Sequence, residues 1–260
     1  MRKYLALITL SFCVSFLVAQ QPCPYKYGAT EDDSITCRQR MFYFSEFYKS
    51  KMYNDAYESW QYLIQKAPCA YSDIYTSASK LFDSLISQEQ GSARREILID
   101  SLLYAYDVRS TYFPDKFTPG SSLGMKARLL YHYREHQYEQ AFDWIVQAVE
   151  MEKENTIPVV WQTYFDLAIL KSNSSKNNSF IDKAYELAHK YIPISIQNAN
   201  KSYENSKEKL KTLQEKYDNG EINQSYYQWQ SKTITDEITH FSKLISGYNK
   251  MLSDSEKLRR

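Results

Sequence analysis

The sequence predicts an all-α fold, an irregular stack of helix pairs followed by a long antiparallel coiled-coil helical hairpin. Three observations carry this prediction. The 260-residue chain has six glycines and seven prolines, too few for the repeated tight turns of a β-rich protein. Apolar residues recur at three- and four-residue spacing along most of its length, the period of helices that bury one face. Beyond Pro193 the spacing sharpens into two heptad seams on either side of Asp218-Asn219-Gly220.

The amino terminus sets the expected compartment. Arg2 and Lys3 precede an apolar run from Leu5 to Val18 that ends in Leu17-Val18-Ala19. That is the pattern of a secretory signal peptide over residues 1–19, cut near Ala19–Gln20. The run is short for a membrane span and lacks a basic flank after it. Cys13 follows Phe12 and Cys23 follows Pro22, so neither has the small preceding residue that a lipoprotein needs. The expected product is exported, periplasmic or secreted, with no membrane span after cleavage. Cys23, Cys37 and Cys69 would remain in an oxidising compartment.

Residues 20–33 read as an extended lead-in, because Pro, Gly and charge occur there without periodicity. Asp33 or Ser34 is the expected cap of a helix reaching about Lys51. A second helix runs from about Tyr53 to Ala67 and stops before Pro68. Its Ala56, Trp60, Leu63 and Ile64 share one face. Helices follow at about 71–88, 93–113, 122–135 and 158–171, with another around Tyr138–Ala148. Gly120-Ser121-Ser122-Leu123-Gly124 lacks the Gly-Lys-Ser/Thr ending of a phosphate loop and reads as a turn and N-cap.

The repeat-like region spans 34–192 and the hairpin 193–260. One seam runs through Ile196, Ala199, Tyr203, Ser206, Leu210, Leu213 and Tyr217. The other runs through Tyr227, Ser231, Ile234, Ile238, Phe241, Ile245, Tyr248 and Leu252. Folding about Asn219–Gly220 would set Leu213 near Tyr226 and Leu210 near Trp229.

The stretch Tyr53-x-x-Ala56-x-x-x-Trp60-x-x-Leu63-x-x-x-x-Pro68 resembles the second helix of a tetratricopeptide (TPR) repeat. Tyr138-x-x-Ala141-x-x-x-Ile145-x-x-Ala148 repeats the pattern without the proline, and Ile181-x-x-x-Tyr185-x-x-Ala188-x-x-x-x-Pro193 echoes it. The run from Cys37 through the Gly120–Gly124 segment is also similar to a group of secreted TPR-like proteins of Bacteroidota. The first two matches are not a whole number of about 34-residue repeats apart. Phe44 stands where the family's first helix has a small residue. The resemblance therefore implies an irregular solenoid. It also implies a concave surface lined by the first helix of each pair, which points to Arg38, Tyr48, Lys49, Lys126 and Tyr133. Those residues would suit a carboxylate-bearing or acidic peptide.

Lys and Arg number 32 against 31 Asp and Glu, a net charge of +1, which denies the chain the basic field that nucleic-acid binding needs. Cys37 and Cys69 stand near the meeting ends of an antiparallel pair, so a Cys37–Cys69 bridge is expected. Pairing of Cys23 with either, or three free thiols, are the alternatives. His132-Tyr133-Arg134-Glu135-His136 matches the H-x-x-E-H of zinc peptidases, with Glu208 or Glu215 as a third ligand, although an ordinary solvated helix face accounts for it as well. His189 and His240 stand alone in the sequence.

The expectation is thus a non-enzymatic scaffold or adaptor without cofactor or metal, holding a protein or peptide partner in the cell envelope. Aromatic Tyr226, Tyr227 and Trp229 near the hairpin tip would form its contact point or a homodimer seam. A carbohydrate- or small-ligand-binding envelope protein is the second reading, and a metallopeptidase using His132, Glu135 and His136 the third.

Overall fold

The computed structural model describes Cys23 and residues 26–89 and 91–258. The expected signal peptide and most of the start of the lead-in lie outside the described residues. Ten α-helices follow in order: α1 Glu31–Lys49, α2 Tyr53–Lys66, α3 Asp73–Thr76, α4 Ala78–Gln88, α5 Ser92–Tyr112, α6 Pro119–Tyr133, α7 Tyr138–Glu152, α8 Pro158–Ser175, α9 Ser179–Asp218 and α10 Gln224–Lys257. Among the described residues there is no strand, so the all-α expectation holds.

Most helices pack on their chain neighbour, and α2 on α4, α6 on α8 and α8 on α10 also meet. Two hydrophobic clusters result. The first centres on Trp60 and Phe82, whose rings meet edge-on at 4.9 Å. Trp60 also donates its indole N–H to the Ile74 carbonyl at 3.2 Å, so the polar edge of the ring is satisfied inside the core. The second cluster centres on Trp161, Tyr164 and Phe165 of α8, with Ala184, Ala188 and Ile192 of α9 closing over them. Four tyrosines among the described residues, Tyr75, Tyr106, Tyr164 and Tyr248, are buried in the core.

Local chemistry moves several boundaries. The α1 helix starts earlier than expected because Thr30 is its cap, the side chain accepting from the Asp33 N–H at 3.0 Å. The lead-in also turns back onto the body, with Tyr27 against the Tyr71 ring at 5.6 Å. The expected helix at 71–88 is divided at Ser77 into α3 and α4. Gly120–Gly124 is not a turn before α6 but its first turn and a half. Thr118 caps the helix by accepting from the Ser121 N–H, and Pro119 occupies the first turn. The Glu152 carboxylate, from the end of α7, accepts from the Thr118 hydroxyl at the same helix start. A Cβ placed on Gly124 would lie 2.9 Å from Val160 Cγ2, so the glycine is what lets α8 approach α6.

Pro193, the expected boundary of the hairpin, falls inside α9, which continues unbroken from Ser179 to Asp218. A proline there removes one intrahelical hydrogen bond, and its ring faces solvent rather than the core. Two residues on, Ser195 lies 2.6 Å from the Glu154 carbonyl and anchors α9 to the α7–α8 connection. Every residue of both heptad seams is at least partly buried. Tyr217 stacks on Tyr227 at 4.6 Å, Ser206 donates to Glu237 at 3.2 Å and Ser255 meets His189 at 3.3 Å. These pairs step in opposite directions along the two helices, which defines one antiparallel register.

That register is about one helical turn away from the fold about Asn219–Gly220. Gly220 does adopt a positive φ of 71°, a turn conformation open to glycine. The reversal nevertheless continues to Asn223, whose side chain caps α10 by accepting from the Tyr226 N–H. Leu213 consequently faces Gln230 and Ile234 as well as Tyr226, and Trp229 turns outward.

The expected Cys37–Cys69 bridge is corrected. Cys69 pairs with Cys23, their Cα atoms 6.2 Å apart, and Cys37 is a free, buried thiol. Because α1 begins at Glu31, Cys37 is its seventh residue and faces the core beside Tyr62 and Tyr71. Cys69 lies beyond the end of α2, where the returning lead-in passes. Burial pushes the Cys37 thiol up, against the lowering effect of Arg38.

Two outcomes are expected. Peptide mapping without reductant joins Cys23 to Cys69 and alkylates Cys37 only after unfolding; reduction lowers unfolding stability by about 4 kcal/mol on chain-entropy grounds, given the separation of 46 residues. Gly124→Val drives a branched side chain into Val160 and should cost about 2 kcal/mol in a denaturant titration; an unchanged midpoint would show that α6 and α8 can part without loss.

Candidate functional site

Each residue that the TPR resemblance points to for a groove has a partner within the chain. Arg38 lies over the Tyr27 ring at 5.3 Å. Tyr48 is packed between Phe44 and Tyr53, at ring distances of 5.8 and 6.0 Å. Lys49 pairs with Glu46 at 3.1 Å across one turn of an exposed face. Lys126 reaches both Asp107 carboxylate oxygens at 2.9 Å and lies 4.9 Å over Trp144. Tyr133 donates to Asp83 at 2.9 Å.

The H-x-x-E-H segment does not form one helical face. The α6 helix ends at Tyr133, and Glu135–Gln137 form a separate 3-10 turn. Its Arg134 is buried and bridges to Glu96 and Asp100 of α5 at 2.7 and 2.6 Å. His132 and His136 are therefore separated by a chain bend, and no three His, Cys, Asp or Glu side chains among the described residues are grouped to hold a metal ion. Glu215 pairs instead with Lys211.

What the structure does assemble is a cleft of about 240 Å³ between α4, α5 and α6. Each helix supplies residues one turn apart: Ser79 and Asp83 from α4, Leu102 and Tyr106 from α5, and Met125, Arg128, Leu129, His132 and Tyr133 from α6. The Ser79 and Tyr106 hydroxyls are 2.9 Å apart. Arg95 lies 5.9 Å over the Tyr133 ring, and its Nε is buried without a hydrogen-bond partner among the described residues. Burial, then the Asp83 carboxylate that accepts its proton, pushes the Tyr133 phenol up to about 12. Burial and the neighbouring Arg128 hold the His132 imidazole below its ordinary value, against opposing effects of Asp83 and Asp166.

Two apolar surfaces are exposed elsewhere. At the hairpin tip Trp229 is 63% and Tyr226 45% exposed, their rings edge-on at 6.2 Å. Tyr227, the third expected tip residue, turns into the seam against Tyr217. Along α1, Ile35, Phe42 and Tyr43 are exposed. The structure also brings together one pair that no spacing suggested, His189 Nε2 and Ser255 Oγ. Glu256 reaches the same nitrogen at 3.2 Å, and Ser255 is fully buried. A serine nucleophile must be accessible to substrate, whereas this one is sealed in the contact that docks α10 on α9.

Sequence reasoning reached Tyr133 and His132 but passed over Asp83, Tyr106 and Arg128. The available signal was the i,i+4 spacing of Arg128 and His132 beside apolar Met125 and Leu129. No helix of the described residues is long and apolar enough to cross a membrane. Comparison with known proteins finds no matching family, no similar curated protein and no similar solved structure.

The raised Tyr133 value sets a stability window. A phenol whose folded pKa exceeds its ordinary value of about 10 contributes stability that is complete below pH about 10 and lost as pH rises through its folded pKa, about 12. With ring-labelled tyrosine, one resonance should titrate near the upper limit and vanish in Tyr133→Phe, and that variant should lose less stability over the window.

Proposed function

We propose that this protein is a non-enzymatic adaptor of the cell envelope, exported and built as an irregular TPR-like solenoid with a projecting coiled-coil hairpin. The observation that carries the reading is the hairpin tip. Trp229 and Tyr226 expose large aromatic faces at the end of two helices of 40 and 34 residues. Their base is locked to the body by Tyr248 and Met251 in the second cluster. Exposed aromatics on a rigid support lose little side-chain freedom on binding and dominate protein contacts. The Cys23–Cys69 pair supports an oxidising compartment, and the irregular helix pairs support the solenoid. A homodimer through the tip is one form such a contact could take.

A carbohydrate-binding role is the second reading, favoured by the same exposed Trp229. Cross-linking in cell envelope separates the two, with the full chain compared against the Trp229→Ser/Tyr226→Ser double variant. The expected outcome is one specific envelope protein, or a second copy of this chain, captured by the wild type and lost at least tenfold in a variant of equal helicity. Unaltered capture would remove the tip from the contact. Binding of a soluble glycan with no protein captured would select the second reading.

A further inference from the structure

We infer that the cleft between α4, α5 and α6 is a binding site for a carboxylate carried on a small apolar body, with Arg128 as its counter-ion. The site is separate from the hairpin tip and does not depend on the adaptor reading. The inference starts from the charges. Lys126 and Arg134, two other cations of α6 and its end, each contact a carboxylate. Arg128 is partly buried in the cleft wall, yet makes no hydrogen bond or ion pair with any described residue. The one carboxylate lining the cleft, Asp83, accepts the Tyr133 proton. Arg95, outside the cleft lining, lies over the Tyr133 ring and adds positive charge beside the site. The lining itself holds one guanidinium, Arg128, and one carboxylate, Asp83, which is already engaged by Tyr133.

A partly desolvated guanidinium without an anion is costly unless a ligand supplies one, and its planar fork matches the two oxygens of a carboxylate. The remaining walls define the rest of the ligand. Leu102, Leu129 and Met125 offer apolar surface, and the paired Ser79 and Tyr106 hydroxyls can donate or accept one further hydrogen bond. A volume of about 240 Å³ admits one amino-acid-sized group and not a folded segment. The terminal residue of a peptide and a free small acid share this chemistry. Pockets of this kind combine an apolar lining with few polar anchors.

The test uses the full chain with its methionine methyl groups labelled, because Met125 lies in the cleft wall. N-acetyl-leucine and its amide are titrated in parallel, then a peptide ending in free or amidated leucine. The acid should shift the Met125 resonance saturably and the amide should not. Arg128→Gln should weaken acid binding by about tenfold or more, and Arg128→Lys by less. A free-carboxylate peptide that binds more tightly than N-acetyl-leucine identifies a chain terminus as the source; equal affinity identifies a small acid. Equal binding of acid and amide, or no Met125 shift up to the solubility of the ligands, overturns the inference. The acid–amide comparison is made on the wild type, so it decides the matter even if Arg128→Gln fails to fold.

Discussion

The architecture depends on burying α6 on two sides at once. Leu129 belongs to the first hydrophobic cluster, while Ala127 and Leu130 belong to the second. Among the described residues no other helix contributes buried residues to both clusters. Its second face consists largely of Gly120, Gly124 and Ala127, residues small enough for α7 and α8 to come close. Close approach raises the number of dispersion contacts that the neighbouring Val160 and Ala148 can make. The helix is held at both ends, by Thr118 and Glu152 at its start and by Arg134 bridging to α5 at its finish. A helix clamped in this way is a rigid wall, and the residues on its third side inherit that rigidity.

Those residues form the cleft. Met125, Arg128 and His132 of α6 line it opposite Ser79 and Asp83 of α4 and Tyr106 of α5, and Met125 also packs against the first cluster. The chain is close to neutral, and some of its mixed charges find partners one turn away or on the next helix. Exposed pairs of that kind, such as Lys49–Glu46 and Lys207–Glu204, contribute little to stability. Arg128 is a cation without such a partner whose side chain is partly buried in the cleft wall.

The hairpin shows how strongly a seam pattern constrains geometry and where it stops. All fifteen seam positions of α9 and α10 are at least partly buried, since a misplaced seam would expose a line of apolar side chains. The offset between the two seams depends on the turn, and the turn length depends on which residue caps α10. Asn223 does so, which shifts the register by about one helical turn and turns Trp229 to solvent. At the other end Pro193 reads as a stop, yet α9 passes through it because Ala184, Ala188, Ile192 and Ala199 keep one face buried across the proline. The packing of that face outweighs one lost backbone hydrogen bond.

Periodicity and composition determined by themselves that the chain is all-α, which stretches form helices, and which faces of α2, α7, α9 and α10 are buried. Helical spacing is a local property, so one sequence suffices to read it. Helix ends at Thr30, Thr118 and Asn223 depended on which hydroxyl or amide reached a free N–H, a choice among near-equivalent neighbours. Only the tertiary structure decided that Cys69 meets Cys23 and leaves Cys37 in the core, because the path of the lead-in back to the end of α2 is a long-range contact that no local spacing encodes. It also decided that Lys126 is neutralised by Asp107 while Arg128 is left over. Ser79, Tyr106 and Arg128 are distant along the chain, and their meeting arises from the packing of three helices rather than from any pattern within one of them.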